Sequence, residues 1–315
     1  MKDLRIVFMG TPDFAVEILK TLVEAKYNIV GVITAPDKPA GRGRKINQSA
    51  VKEYALKHNL KILQPANLKD EIFIEELKAL NANLQIVVAF RMLPEIVWKM
   101  PKYGTFNLHA SLLPNYRGAA PINWAIINGE TKTGVTTFFI DDKIDTGAII
   151  LQEEIAITQY DNAGILHDKL MVAGARLVLK TVLLIEKDQV HTHIQSNSQS
   201  LKSAHKIHKD TCKIDWTQPI NEIHNLIRGL SPYPTAWTIL FNNGEELNVK
   251  IYTVSKEKET HKFEIGKLIA DKNSVKIAAS DGFIFLEEIQ LPGKRKMSIK
   301  DILNGYEFKP DAKML

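Results

Sequence analysis

A chain of 315 residues with 45% hydrophobic and 24% charged residues is long enough for two ordinary domains and has the balance of a globular protein with a large core. Its one cysteine, Cys212, excludes an internal disulfide and fits a reducing compartment, and no window approaches the roughly 20 apolar residues of a membrane helix. The net charge of +5 is too mild to demand a polyanionic partner, and the opening apolar run ends at Thr11-Pro12-Asp13, too soon for an export signal, so a cytoplasmic location is expected.

Arg5 to Phe8 reads as a buried strand and Asp13 as the N-cap of the next helix, whose apolar stripe is Phe14, Ile18, Leu22 and Val23. Ile29 to Thr34 is a second strand. A polar loop then leads to a short helix over Ser49 to Lys57, a third strand over Lys61 to Gln64 and a helix over Glu71 to Leu80. Leu84 to Ala89 is almost wholly apolar, as a strand covered on both faces should be. Strands alternating with helices predict a doubly wound, mostly parallel α/β sheet. After Thr105 to His109 the pattern changes. Val135 to Ile140 and Ile149 to Ile157 read as strands paired around a turn. Ala163 to Glu186 reads as a long helix with Leu166, Leu170, Ala173, Leu177 and Leu184 on one face. From Asp188 to about Lys209 the chain is polar and rich in Ser, His, Gln and Lys, the composition of a linker. Beyond it, Ala236 to Phe241, Leu247 to Val254, Gly266 to Ile269, Val275 to Ala278 and Phe283 to Ile289 are short runs broken by Asn-Gly and Asp-Gly, which predict a small β-barrel. The expected division is a domain over 1–188, a linker over 189–208 and a second domain over 209–315.

The first strand ends in Met9-Gly10-Thr11-Pro12. A dinucleotide site needs three glycines spaced Gly-x-Gly-x-x-Gly here, and only Gly10 is present, so a tight strand-to-helix turn is the better reading. Asn107-Leu108-His109 is more informative. Side chains alternate along a strand, so Asn107 and His109 share a face at its C-terminal end, where α/β sheets place their sites. A carboxamide beside an imidazole suits acyl transfer, one stabilising an oxyanion and the other moving a proton near neutral pH. Taken alone, such a pair at a strand end is more often packing or capping. The next residues, Ser111 to Pro114, read equally as a surface turn or an apolar slot for a flat ring. Of the carboxylates in Asp141-Asp142-Lys143-Ile144-Asp145-Thr146-Gly147, Asp145 sits in an Asp-Thr-Gly turn that would hold it in place, while Asp141 and Asp142 read as solvated hairpin residues. Their spacing does not match a calcium loop, and no metal-ligand constellation stands out elsewhere. Lys38, Arg42, Arg44 and Lys45, with Gly41 and Gly43 between them, form either a solvated loop or a cationic strap able to follow a sugar-phosphate backbone.

The segments Phe8-Met9-Gly10-Thr11-Pro12-Asp13-Phe14, Asp37 to Arg44, Asn107 to Pro114, Arg117-Gly118-Ala119-Ala120-Pro121-Ile122, Asp145-Thr146-Gly147, Lys213-Ile214-Asp215-Trp216 and Arg228 to Pro234 together resemble the methionyl-tRNA formyltransferase family over nearly the whole chain. The resemblance implies a Rossmann-like formyltransferase fold followed by an OB-type barrel that helps grip tRNA. It implies a formyl group taken from 10-formyltetrahydrofolate, as co-substrate, and placed on the α-amine of initiator methionyl-tRNA. Asn107, His109 and Asp145 would be its catalytic trio, and Ser111, Leu112, Leu113 and Pro114 would hold the folate. Lys38, Arg42, Arg44, Lys45, Lys206 and Lys209 would meet the tRNA, with Lys213, Lys294, Arg295 and Lys296 extending the track. The chain departs from the family pattern at Phe90-Arg91-Met92, where Ala-Tyr-Gly is common with one residue more before Leu93-Pro94, and at Ala110, where glycine is frequent. The first change touches the expected folate pocket wall.

In the implied reaction Asn107 and protonated His109 stabilise the oxyanion, and Asp145 favours the imidazolium and accepts the amine's proton directly or through water. No covalent intermediate, metal or membrane partner is needed, and with no feature demanding a multimer a monomer is expected. The nearest rival is a folate-dependent formyltransferase acting on a nucleotide or amino sugar, and a rival of another class is a non-enzymatic RNA-binding protein.

Overall fold

A computed structural model describes residues 1–40, 45–196 and 200–315, with the side chains of residues 39, 40, 45 and 46 outside the description. It forms two compact units, each assembled from several stretches of chain. The first comprises Met1–Gly118, Thr133–Ala156 and His167–Ser203, and the second Ala119–Lys132, Ile157–Leu166 and Ala204–Leu315.

The first unit is built on a sheet of seven strands: β1 (Arg5–Gly10), β2 (Asn28–Ile33), β3 (Ile62–Leu63), β4 (Leu84–Val88), β5 (Thr105–His109), β6 (Lys132–Phe139) and β7 (Ile149–Ala156). Their order is β7-β6-β5-β4-β1-β2-β3. β1 runs parallel to β2 and β4, and β4 parallel to β5, while β6 lies antiparallel to β5. The chain therefore winds outward in one direction from β1 and then returns to its other side, which opens a switch point between β1 and β4. Gly10 pairs with Val88, and Val88 with Leu108, so the ends of three parallel strands line up along one edge.

Helices α1 (Asp13–Glu24), α2 (Ala50–Lys57), α3 (Glu71–Ala79) and α4 (Glu95–Trp98) connect these strands. Ser49 caps α2 by accepting the Lys52 N–H, and Asp70 caps α3 by accepting that of Phe73. The N-cap of α1 is Pro12, not Asp13. Asp13 is the first helical residue, where its charge faces the positive end of the helix dipole without bonding a backbone N–H. One face of the sheet packs Val7, Met9, Ile33 and Val87 against Phe73, Ile74 and Leu77 of α3. The expected polar loop after β2 contains a short antiparallel pair, Lys38–Ala40 with Lys45–Asn47. Its base is fastened at Asp37, which accepts from Lys52 and Gln64 at 2.6 and 2.8 Å, and the Lys52 ammonium holds the Asp37 carboxyl below its usual range.

The second unit contains α5 (Pro121–Ile127) and, after α6 (Ala163–Glu186), α7 (Ile220–Leu230) and a β-barrel. Its strands are β8 (Ala236–Asn242), β9 (Glu245–Lys258), β10 (Leu268–Ala270), β11 (Val275–Ala279), β12 (Gly282–Gln290), β13 (Met297–Ser298) and β14 (Lys313–Met314), with α8 (Ile299–Leu303) before the last. The order is β10-β11-β12-β9-β8-β14, with β13 on β12. A bridge between Lys267 and Lys313 brings the first and last strands together and nearly closes the sheet. Asn243 and Gly244 both have positive φ, the backbone that a two-residue hairpin turn between β8 and β9 requires. Helix α7 plugs the barrel. Ile220, Ile223, Ile227 and Leu230 recur on one face and are buried with Ile214, Trp216, Leu240 and Val249. Its first N–H is accepted by Asp281 at 2.8 Å.

His224 lies on this helix with Nδ1 buried and without a hydrogen-bond partner among the described residues, and burial, then Lys256 and Arg228, push its pKa down to about 4. At neutral pH the ring is uncharged in the folded and unfolded chain alike. Below about pH 6.5 the unfolded chain takes up a proton that the folded one refuses until about pH 4, so stability falls as pH falls through that window. Urea unfolding at pH 7.5 and pH 5 should show a loss on the order of 2 kcal/mol from this group. His224→Gln should remove that part of the pH slope, and an unchanged slope would exclude His224 as its source.

Candidate active site at the ends of the central strands

Strand β5 divides its side chains between two faces. Leu108 packs on α6, where a Cβ added at Gly174 would lie 2.7 Å from its Cδ2, and the strand partner of Leu108, Thr137, bonds Thr181 of the same helix at 2.8 Å. Asn107 and His109 therefore face the other way, beside the switch-point edge. Two features keep that edge tight. A Cβ at Gly10 would stand 2.6 Å from the Ala15 Cβ and 3.0 Å from the Val88 carbonyl oxygen. Ala89, the residue after β4, has φ 45°, so the chain turns sharply away from the sheet there.

His109 is 7% exposed. Its Nε2 lies 2.9 Å from the Tyr116 carbonyl oxygen, and since a carbonyl only accepts, Nε2 carries the proton. Nδ1 is therefore the nitrogen left for chemistry. It faces Asp145 Oδ2 at 3.8 Å, an ion-pair distance but too long for a hydrogen bond. Asn107 Oδ1 is buried with no hydrogen-bond partner among the described residues. A buried carbonyl oxygen left unmatched costs about 1–3 kcal/mol, and a ligand N–H or O–H would relieve it.

Asp145 is set by its turn. It has φ 55°, its Oδ2 accepts the Gly118 N–H at 2.9 Å, and two residues on, a Cβ at Gly147 would lie 1.7 Å from the Phe139 carbonyl oxygen. Asp141, expected to be solvated, is half-buried and organises the same loop. Its carboxylate accepts from Thr146 Oγ1 at 2.7 and 2.9 Å and from the Lys143 N–H at 3.0 Å. Asp142 is exposed. Gln195, far along the chain, reaches in with Nε2 donating to the carbonyl oxygens of Asp145 (2.9 Å) and Gly147 (2.8 Å), while its Oε1 accepts from Arg117 Nε and Nη2. Neither Tyr116 nor Gln195 stands out in the sequence. One contributes only a backbone carbonyl and the other lies in an irregular polar stretch.

Of the residues after His109, Ser111 is fully buried with its hydroxyl donating to the Asn115 carbonyl, and Leu113 is 3% exposed against Phe138 and Ile149. Thr136 Oγ1 ties the segment together, donating to the Ser111 carbonyl and accepting from the Leu113 N–H and Gln152. Leu112 and Pro114 keep part of their surface accessible. At the departure after β4, Phe90 is half-buried and Met92 is 69% exposed, while the Arg91 guanidinium bonds the carbonyls of Pro65 and Ala66. An arginine tie thus joins the loop after β4 to the one after β3.

Of the expected RNA contacts, Lys38 is exposed, whereas Arg42, Arg44 and the Lys45 side chain lie outside the described residues. Lys206 and Lys209 are exposed on the second unit. The stretch carrying them is pinned by two indoles, Trp124 Nε1 donating to the His205 carbonyl at 2.8 Å and Trp237 Nε1 to that of Lys209 at 2.9 Å. Among the described residues no helix is long and apolar enough to cross a membrane.

The chain belongs to the formyl transferase family: residues 4–182 match the formyl transferase model and residues 206–307 that of its C-terminal domain. Among its relatives, the methionyl-tRNA formyltransferase of Flavobacterium johnsoniae is 63% identical over 314 residues, covering 100% of both chains. That of Bacteroides thetaiotaomicron is 54% identical over 318 residues, covering 99% of each. A solved structure of similar fold, WlaRD, a sugar 3N-formyl transferase in the presence of dTDP and 5-N-formyl-THF, superposes with TM-score 0.67 at 23% identity, covering 94% of this chain and 100% of that one.

Asp145→Asn separates charge from shape at this site. Asparagine tolerates positive φ and still accepts the Gly118 N–H, so the turn should survive while the carboxylate's charge is lost. Formyl-transfer kcat should fall about 10²-fold, in the range of general acid–base contributions, with an unchanged melting temperature. A kcat within twofold of wild type would remove Asp145 from the chemistry.

Proposed function

We propose that this chain transfers the formyl group of 10-formyltetrahydrofolate to the α-amine of methionyl-tRNA, with the chemistry in the 1–188 region and tRNA gripped in part by the 209–315 region. The observation that carries this reading is Asn107-x-His109 on the C-terminal end of β5. One residue has an orphaned amide oxygen, and the other has Nδ1 toward Asp145 and Nε2 committed to a carbonyl. Relatives named for that activity match at more than half identity from end to end, whereas the sugar transferase shares 23%.

The donor supplies an activated formyl carbon. The chain's residues act on what surrounds it. Asn107 Oδ1 accepts an N–H of the attacking amine, orienting its lone pair, and the Asn107 amide N–H donates to the oxygen that gains charge as the new C–N bond forms. With Nε2–H held by Tyr116, the imidazolium's Nδ1–H is the second donor to that oxygen. Asp145 balances its charge from 3.8 Å and takes the amine's proton, directly or through water; the tetrahedral centre then collapses as its bond to the folate nitrogen breaks and that proton passes, through water, to the departing nitrogen. Leu112 and Pro114, with Phe90 and Met92 after β4, give the folate ring apolar surface, and Ser111 and Leu113 hold the segment from behind. Lys38, Arg42, Arg44, Lys45, Lys206 and Lys209 follow the tRNA backbone.

The test is a substrate panel. With 10-formyltetrahydrofolate, the protein should formylate charged initiator tRNA, and leave glycinamide ribotide and amino-sugar nucleotides unmodified. Activity confined to the small acceptors would replace this reading with the sugar or nucleotide one.

A further inference from the structure

We infer that Gln195 is a positioning residue for the reaction, holding the Asp145 turn in the one conformation that presents its carboxylate to His109; this rests on the proposed function. The Gln195 side chain is 6% exposed and sits outside any regular strand or helix. A primary amide has two N–H donors and two acceptor lone pairs, and here all four are used. Both Nε2 hydrogens go to carbonyl oxygens, of Asp145 at 2.9 Å and Gly147 at 2.8 Å. Both Oε1 lone pairs take the Arg117 guanidinium, from Nε at 3.1 Å and Nη2 at 2.7 Å. This complementarity fixes which end of the amide is which.

The turn it grips needs holding. Asp145 has φ 55°, a left-handed conformation that aspartate adopts in turns, and its surroundings hold that turn in place. Gln195 spans the turn on both sides of Thr146, and Arg117, which orients Gln195, directly precedes Gly118, whose N–H holds Asp145 Oδ2. One chain of contacts thus sets both the backbone and the carboxylate of Asp145. A second left-handed residue, Tyr116 (φ 61°), supplies the carbonyl that fixes the His109 tautomer, and its N–H donates to the Lys202 carbonyl at 2.6 Å. The polar stretch after α6 therefore reaches both members of the His109–Asp145 pair.

Gln195 touches no substrate in this reading, so its signature is a fall in kcat without a rise in KM. Gln195→Ala should lower kcat about 10–100-fold, the effect of small misplacements at a reacting centre, with KM for both substrates within about twofold. Gln195→Glu supplies a sharper readout. At pH 8 its carboxylate would oppose two carbonyl oxygens, whereas a protonated carboxyl can donate to one of them. The ratio of variant to wild-type kcat should therefore rise as pH falls from 8 to 6. Circular dichroism and melting temperature report folding, and Arg117→Met, which leaves both Nε2 bonds to the turn in place, should give a smaller kcat loss than Gln195→Ala. Wild-type kcat in both Gln195 variants, a loss confined to KM, or a Glu variant with a pH-independent ratio would overturn the inference. Failure of the wild-type protein to formylate methionyl-tRNA would instead overturn the functional reading.

Discussion

Asn107→Ala and His109→Ala are each expected to lower kcat by about 10²–10³, the loss recorded when one oxyanion donor is removed, while leaving the fold intact. Both side chains point away from the α6 face that Leu108 occupies, so truncation opens space at the site edge and not within the helix-packed layer. Asn107 Oδ1 is buried without a partner among the described residues, so alanine removes an uncompensated desolvation cost and the variant should be at least as stable as wild type. A residue whose loss stabilises the protein while stopping the reaction is a functional residue on energetic grounds. Steady-state formylation beside urea unfolding measures both halves. Wild-type kcat, or a destabilisation above about 1 kcal/mol with proportionate loss of activity, would return Asn107 to a packing role.

Gly147→Ala should be the most damaging single methyl among the described glycines of the first unit. The added Cβ would lie 1.7 Å from the Phe139 carbonyl oxygen and 2.9 Å from its carbon. Both are backbone atoms at the end of β6, and Phe139 N–H is itself bonded to the Ala148 carbonyl at 3.0 Å, so no flexible side chain can give way. Either the β6–β7 connection opens or the Asp-Thr-Gly turn shifts, and with it the Asp145 carboxylate. The expected cost is about 3 kcal/mol in stability, at the upper end for overpacking, with formylation lost beyond what the stability change explains. Gly305→Ala is the matched control, since a Cβ there meets nothing within 4 Å. A Gly147→Ala protein within about 0.5 kcal/mol of wild type would mean that the turn is softer than its geometry implies.

Particular residues show where sequence reading succeeds and where it stops. The 24-residue helix Ala163–Glu186 is legible to its ends, and the apolar run Leu84–Val88 announces a strand covered on both faces. Asn107 and His109 follow from alternation alone, because period-two geometry is local. Asp145 is reachable because Asp-Thr-Gly is a recognisable turn. Helix α7 is harder. Its Ile220, Ile223, Ile227 and Leu230 spacing is present, but β-branched residues and Gly229 weaken local helix preference and the barrel core supplies the stability. The Asp13 expectation fails because Pro12 already has the extended backbone of a cap. Gln195 and the Tyr116 carbonyl are invisible for a different reason. Their function is set by partners brought close in space, Asp145 and Gly147 for Gln195 and the His109 ring for Tyr116, and nothing local in the sequence marks either one.

The most direct test of the site is a crystal structure of the protein with a formyl-folate analogue that cannot transfer its group. The expected result places the formyl oxygen about 2.7–3.1 Å from both the Asn107 amide nitrogen and His109 Nδ1, with Asp145 on the side from which the amine arrives. A formyl group bound out of hydrogen-bonding reach of both residues would contradict the assignment of Asn107 and His109 to the oxyanion.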